Sequence, residues 1–269
     1  MEATVLFIHG MFLTGRSWAS WCARFEGAGY HCLAPSWPGR KGEARALREH
    51  PDPLLRTLTL TELISRFEAI ARAERTPPIL IGHSMGGLVV QALLSRGAGC
   101  VGVAIDSAPP FGIRSLAFSH LRANAPMLWP GASPIVPTLA SWRYAFWHTG
   151  GADEVARAFD AEVVPESRLV GKGPLGKEGA VDFSAPRPPL LMIAGELDHI
   201  IPASLNRTNA ARYHPTLAPT ELVQMKGRTH YLCGQPGWEE VADTALAFVG
   251  KHVARADAVP SVDRPALPM

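Results

Sequence analysis

Six short runs, residues 4–8, 30–34, 79–81, 101–105, 190–193 and 221–224, are rich in Val, Ile and Leu, and most of them are apolar without alternation. Strands that are apolar on both faces must be covered on both faces, which requires a parallel sheet with helical crossovers. Apolar residues spaced three to four apart predict those helices over residues 17–26, 60–73, 86–95 and 238–253. The fold class is therefore α/β, with about six mostly parallel strands flanked by helices.

The rhythm fails once, between residues 109 and 186, a gap of about 80 residues that is too long for an ordinary connection. Helical patterns at 114–128, 139–147 and 153–163 mark it as a helical cap inserted after the fourth strand. Residues 1–108 and 187–255 then form the core. A tail follows over 256–269, with Pro260, Pro265 and Pro268, either frayed or strapped to the surface. The insert is rich in large apolar side chains, including Phe118, Trp129, Trp142, Tyr144, Phe146 and Trp147. Most would build its own core, and Trp129, Trp142 and Trp147, with Phe111 and Phe12 on adjoining loops, are candidates to line a substrate pocket.

Composition removes several classes of function. Lys and Arg number 26 against 24 Asp and Glu, and no basic cluster occurs, so the charge pattern excludes a nucleic-acid partner. Cys22, Cys32, Cys100 and Cys233 form no C-x-x-C pair, which argues against zinc and fits reduced thiols. No uncharged apolar run is long enough to span a membrane, and residues 1–4 show no basic signal region, so the expected location is cytoplasmic. The oligomeric state is open.

The chemistry concentrates at Gly82-His83-Ser84-Met85-Gly86, a G-x-S-x-G that directly follows a strand and directly precedes a helix. That context places Ser84 on a sharp turn, with glycines at 82 and 86 so that strand and helix can pass. It also sets the Met85 N–H at a helix N-terminus, where negative charge is favoured. A second donor is expected from the loop after the first strand, where Gly10 permits a tight turn that can aim the Met11 N–H at the same point. His9 and His83 shape this loop and the elbow rather than titrate.

On these motifs the sequence resembles the α/β-hydrolase superfamily, in particular its small bacterial serine esterases and lysophospholipase-like members. The resemblance runs over essentially the whole chain, although the two strands that usually precede the His9-Gly10 strand are missing. It implies a triad in the order Ser, acid, His. Asp198, in Gly195-Glu-Leu-Asp198-His-Ile-Ile-Pro, matches the family's acid turn, with Glu196 and Asp106 as competitors. His230, in the loop before the closing helix, is the base, and His199 beside Asp198 is structural or pocket-lining.

Ser84 would attack an acyl carbon while His230 takes its proton, with Asp198 fixing the imidazole. A serine at the elbow excludes the carboxylate nucleophile of haloalkane dehalogenases and epoxide hydrolases. The substrate expected is a small to medium apolar carboxylic ester. Lactone, thioester or diketone C–C hydrolysis, cofactor-free perhydrolysis and a non-catalytic binding role are the alternatives. No cofactor or metal is expected. Gly97-Ala-Gly99-Cys-Val-Gly102 spells a dinucleotide motif but leads from helix into strand, so it is a turn. Activity should rise with pH through one limb near neutrality as His230 deprotonates.

Overall fold

The computed structural model describes residues 3–214 and 218–257. Residues 258–269, most of the expected tail, lie outside the described residues. Six strands form one sheet: β1 (Thr4–Ile8), β2 (His31–Leu33), β3 (Ile79–His83), β4 (Val101–Ile105), β5 (Leu190–Gly195) and β6 (Thr220–Met225). Their order is β2-β1-β3-β4-β5-β6, and every neighbouring pair is parallel. The helices are α1 (Ala19–Glu26), α2 (Ala44–Glu49), α3 (Leu60–Ala73), α4 (Met85–Ser95), α5 (Phe118–Leu128), α6 (Leu139–Phe146), α7 (Ala152–Glu162), α8 (Arg168–Lys172), α9 (Ala203–Ala210) and α10 (Trp238–Asp257).

Because successive strand residues point to opposite faces, β1 feeds two cores. Leu6 and Ile8 pack with Leu80, Met192 and the apolar stripes of α3 and α4. Val5 and Phe7 pack with Ile81, Val103, Ile193 and with Trp21 and Phe25 of α1 and Val241 and Ala245 of α10. Strands β1, β3, β4 and β5 are buried at every position, which accounts for their lack of alternation. The edge strand β2 is shorter than its apolar run and only partly buried.

Local signals fix the ends of the crossover helices. Thr59 and Glu62 close a capping box at α3. At the end of α4, Gly97 has φ 68°, Ala98 N–H donates to Leu93 O and Gly97 N–H to Leu94 O, both at 3.0 Å. That pair of bonds is a Schellman ending, so the G-x-G-x-x-G segment is a helix stop.

Helices α5 to α8 fill the interval between β4 and β5. Their buried residues, among them Trp142, Phe146, Val155 and Val170, are continuous with the core on the α3 and α4 side of the sheet. Helices α2, α8 and α9 have no counterpart in the periodicity. α2 is short and polar, and Arg48 at its end donates to Phe159 O at 3.1 Å and Val163 O at 2.6 Å, so it is held by the last turn of α7. Among the described residues no helix is long and apolar enough to cross a membrane.

Candidate active site

Ser84 sits between β3 and α4 with φ 57° and ψ −118°, a conformation outside the usual regions for a side-chain-bearing residue. The surroundings enforce it. A Cβ on Gly86 would lie 2.0 Å from Ile8 O, and one on Gly82 would lie 2.2 Å from Gly86 O. The backbone is pinned as well: Ser84 N–H donates to Ile105 O at 2.9 Å, and Ser84 O accepts from Ala108 N–H at 2.8 Å. Met85 is the first residue of α4, so its N–H has no intrahelical acceptor.

The loops after β5 and β6 bring two further groups to this serine. His230 Nε2 is 2.9 Å from Ser84 Oγ, and His230 Nδ1 is 2.6 Å from Asp198 Oδ2. The other Asp198 oxygen accepts from the N–H groups of Ile200 at 2.6 Å and Ile201 at 2.8 Å. The His230 loop is held at Thr229, whose N–H and Oγ1 both donate to Gln235 Oε1, and at Tyr231, whose N–H donates to Phe146 O. Of the neighbours of Asp198 in sequence, Glu196, a competitor for the acid role, accepts from Gly227 N–H at an exposed turn, and His199 Nδ1 donates to Tyr144 O and stacks on His148.

Asp106, at the end of β4, lies directly behind this chain of contacts. Its Oδ1 accepts from Gly195 N–H at 2.7 Å, and its carboxyl group is electrostatically coupled to that of Asp198. Two buried carboxyl groups in contact cannot both be ionised. Burial, and then the Asp198 charge, push the Asp106 carboxyl well above the usual range, so Asp106 is the protonated member of the pair. Burial also pushes Asp198 upward, against the pull of the Ile201 and Ile200 donors. With His230 Nδ1 on its remaining oxygen, Asp198 is surrounded by donors, the environment of a carboxylate. Burial drives His230 down to about 3, leaving a neutral imidazole with Nε2 free to accept the Ser84 proton.

The loop after β1 meets the serine from the other side. A Cβ on Gly10 would lie 2.9 Å from Ser84 Cβ, so Met11 follows the point of closest approach. His9 is fully buried and neutral, lowered by burial and by Arg40. Its Nδ1–H donates to Gly10 O at 2.8 Å, and its Nε2 accepts from Trp37 N–H at 3.1 Å, which fixes the tautomer. His83 Nε2–H donates to His230 O at 2.8 Å, and its ring is held neutral by burial and by His230. Both histidines brace backbone.

A further support was not legible as a motif. Phe12 has φ 65°, and its N–H is held by Glu166 Oε2 at 3.3 Å and its carbonyl by Val164 N–H at 2.9 Å. Glu166 in turn pairs with Arg40, both side chains being buried, and Arg40 also donates to Pro165 O at 2.8 Å. The loop beside Ser84 is thus clamped by a buried ion pair between residues 126 apart in sequence. Removing one partner strands the other, so Glu166→Ala should lower unfolding stability by about 3–5 kcal/mol in a denaturant titration. A change under about 1 kcal/mol would mean that Arg40 finds water once the carboxylate is gone.

The pocket candidates divide. Phe12 and Phe146 meet edge to face at 6.2 Å, and Phe146 presents its edge to His230 at 5.0 Å. Trp142 is buried behind Phe146, stacked on it at 5.4 Å, and Trp147 packs on Tyr231. Trp129, expected in the pocket, is instead 67% exposed at the end of α5, and Phe111 is 41% exposed. The helical period alone did not reveal which face of α5 the fold turns outward. Phe146, an insert aromatic not among the pocket candidates, is the one whose ring packs against His230.

As to a metal, His83, Asp106 and His230 bring one potential ligand atom each within 4.8 Å. His83 Nδ1 and Asp106 Oδ2 lack partners among the described residues. Both His230 nitrogens are engaged, so it could ligate only by releasing Asp198 or Ser84.

The model of the alpha/beta hydrolase family matches residues 5–244, and the chain belongs to that family. No curated protein matches it in sequence. Among solved structures it is similar to the monoacylglycerol lipase of Paleococcus ferrophilus, with TM-score 0.68 and 19% identity over 93% of this chain and 94% of that one. It is also similar to tomato methylketone synthase I, solved with 2-tridecanone, with TM-score 0.67 and 15% identity over 94% and 99% of the two chains. A third is polyneuridine aldehyde esterase, with TM-score 0.63 and 15% identity over 92% and 99%. At such identities the likeness is one of fold.

Proposed function

We propose that the protein hydrolyses carboxylic esters of small to medium apolar substrates through an acyl-enzyme on Ser84. The observation that carries this reading is the unbroken line of contacts from Ser84 Oγ through His230 to Asp198, at 2.9 and 2.6 Å. As Ser84 attacks the ester carbon, its proton passes to His230 Nε2, and the Asp198 carboxylate stabilises the imidazolium. The developing oxyanion is received by the backbone N–H groups of Met85 and Met11, the first backed by the N-terminus of α4. His230 then protonates the leaving alkoxide and activates the water that frees the acid. On this reading helices α5 to α8 act as a cap over Ser84, with Phe12 and Phe146 as the apolar wall.

The test is hydrolysis of a p-nitrophenyl ester series of increasing acyl length by the protein and by its Ser84→Ala variant, extended to a lactone and a thioester. Serine-dependent turnover of the esters supports the reading, and turnover surviving in the variant overturns it. The pH profile adds a second outcome. Because the imidazole must be neutral in the free enzyme, kcat/KM rises with pH as the imidazolium loses its proton. Burial has moved that loss far below the ordinary value of 6.5, so the limb expected near neutrality shifts to acid. kcat/KM should be flat between about pH 5 and 8. A limb near pH 6.5 would show that attraction to Asp198 offsets the desolvation of His230.

A further inference from the structure

Helix α5 is amphipathic in the inverted sense. Its inward side carries His120 and Asn124, which bind Ile200 O through Nδ1 at 2.6 Å and Nδ2 at 3.2 Å, with the buried Met127 one turn further along the same face. Its outward side is an apolar stripe: Phe118 is 75% exposed, Leu121 47%, Leu128 61% and, at its C-terminal end, Trp129 67%, and Leu116 just before the helix is 89% exposed. A helix whose polar groups face the protein and whose large apolar groups face solvent is arranged for a second apolar phase.

Charge narrows the occupant. From Ser107 to Ala152 the sequence has no Asp or Glu, while Arg114, Arg122 and Arg143 are present and exposed. Arg122 lies on the edge of the stripe, its guanidinium 4.0 Å from the centre of the Tyr144 ring. Two copies of this chain meeting stripe to stripe would bring like charges together. An anionic lipid surface would meet both the apolar side chains and the arginines. The stripe also lies close to the candidate site, because Met127 from its inner side and Met11 from the loop beside Ser84 both pack on Gly171.

We propose that the outer face of α5 is a docking surface for anionic lipid, holding the protein peripherally with Phe118, Leu121, Leu128 and Trp129 in the interface and Arg114 and Arg122 on the headgroups. It does not depend on the ester-hydrolase reading, and the experiment keeps the two apart by measuring binding on the Ser84→Ala protein, whatever its catalytic fate. Full-length Ser84→Ala protein is sedimented with vesicles of phosphatidylcholine alone and with vesicles in which about one third of the lipid is phosphatidylglycerol. Partition onto the anionic vesicles should be about tenfold or more above the neutral ones and should fall with added salt. Adding Phe118→Ser, Leu121→Ser and Leu128→Ser together should lower it at least about tenfold. Arg114→Gln with Arg122→Gln should abolish the preference for phosphatidylglycerol. These are surface positions, and an unchanged Tm with an unchanged circular dichroism spectrum verifies that the variants fold. The proposal is overturned by absence of vesicle binding, by binding that survives loss of the stripe, or by a concentration-dependent dimer that the stripe substitutions dissociate, which would make a second copy the occupant.

Discussion

Ser84→Ala and His230→Ala should each lower kcat for a p-nitrophenyl ester by about 10³-fold or more, and the double variant should be no worse than either alone. The hydroxyl is a nucleophile only while its proton has somewhere to go, and the imidazole is useful only while it has that proton to take. Removing one member therefore leaves the other idle. Both side chains are buried; each substitution removes side-chain volume, and after His230→Ala the Asp198 carboxylate keeps the Ile200 and Ile201 N–H donors, so the folded state should persist. The residual rate would come from substrate binding and the backbone donors. If the two losses multiplied in the double variant, the groups would be acting in separate steps and the proton-transfer unit would be wrong.

The second large effect concerns which of two adjacent acids serves His230. Asp198→Asn should lower kcat by about 10³- to 10⁴-fold. An amide at this position offers His230 Nδ1 either an N–H, which selects the wrong tautomer, or a neutral carbonyl, which stabilises the imidazolium poorly. Asp106→Asn should cost less than about tenfold in kcat, because asparagine preserves what a protonated Asp106 does. Its carbonyl accepts from Gly195 N–H, and its amide, like a protonated carboxyl, sets no negative charge beside Asp198. Asp106→Ala removes both and leaves a buried N–H without a partner, at a cost of about 1–3 kcal/mol in stability. Steady-state kinetics of the three variants, with melting curves alongside, separate these cases. A larger kcat loss from Asp106→Asn than from Asp198→Asn would transfer the acid role to β4.

Much of this arrangement was legible because it is local. The elbow is five consecutive residues, Gly82 to Gly86, whose backbone clash distances admit only glycine at two positions. The strands were readable because positions buried on both faces tolerate little but apolar side chains, which is why 4–8 and 101–105 match β1 and β4 residue for residue. The placement of Asp198 and His230 was legible only through the family resemblance, which implies the order Ser, acid, His; each falls in the loop that follows a strand of a parallel sheet, and such loops emerge at one edge.

Contacts between distant segments decided the rest. Asp106 is a strand-end acid like many others until the packing of β4 against β5 brings Gly195 N–H and the Asp198 carboxyl to it, and only the exclusion of water makes its proton obligatory. Glu166 is an isolated acid within the insert, and nothing in its neighbours announces a pairing with Arg40, because a buried ion pair has no sequence spacing. Trp129 and Phe146 show the same limit on helices α5 and α6. Helical periodicity places side chains on faces but does not say which face meets the protein. His120 and Asn124 turn α5 one way by binding Ile200 O, and Phe146 is turned onto His230 because Tyr231 N–H holds its carbonyl. The sequence determined the sheet and the elbow, because each follows from residue types and local spacing, and its resemblance to a family supplied the order of the three groups. The tertiary structure alone decided their protons, their braces and the outward face of α5, because those depend on what is buried against what.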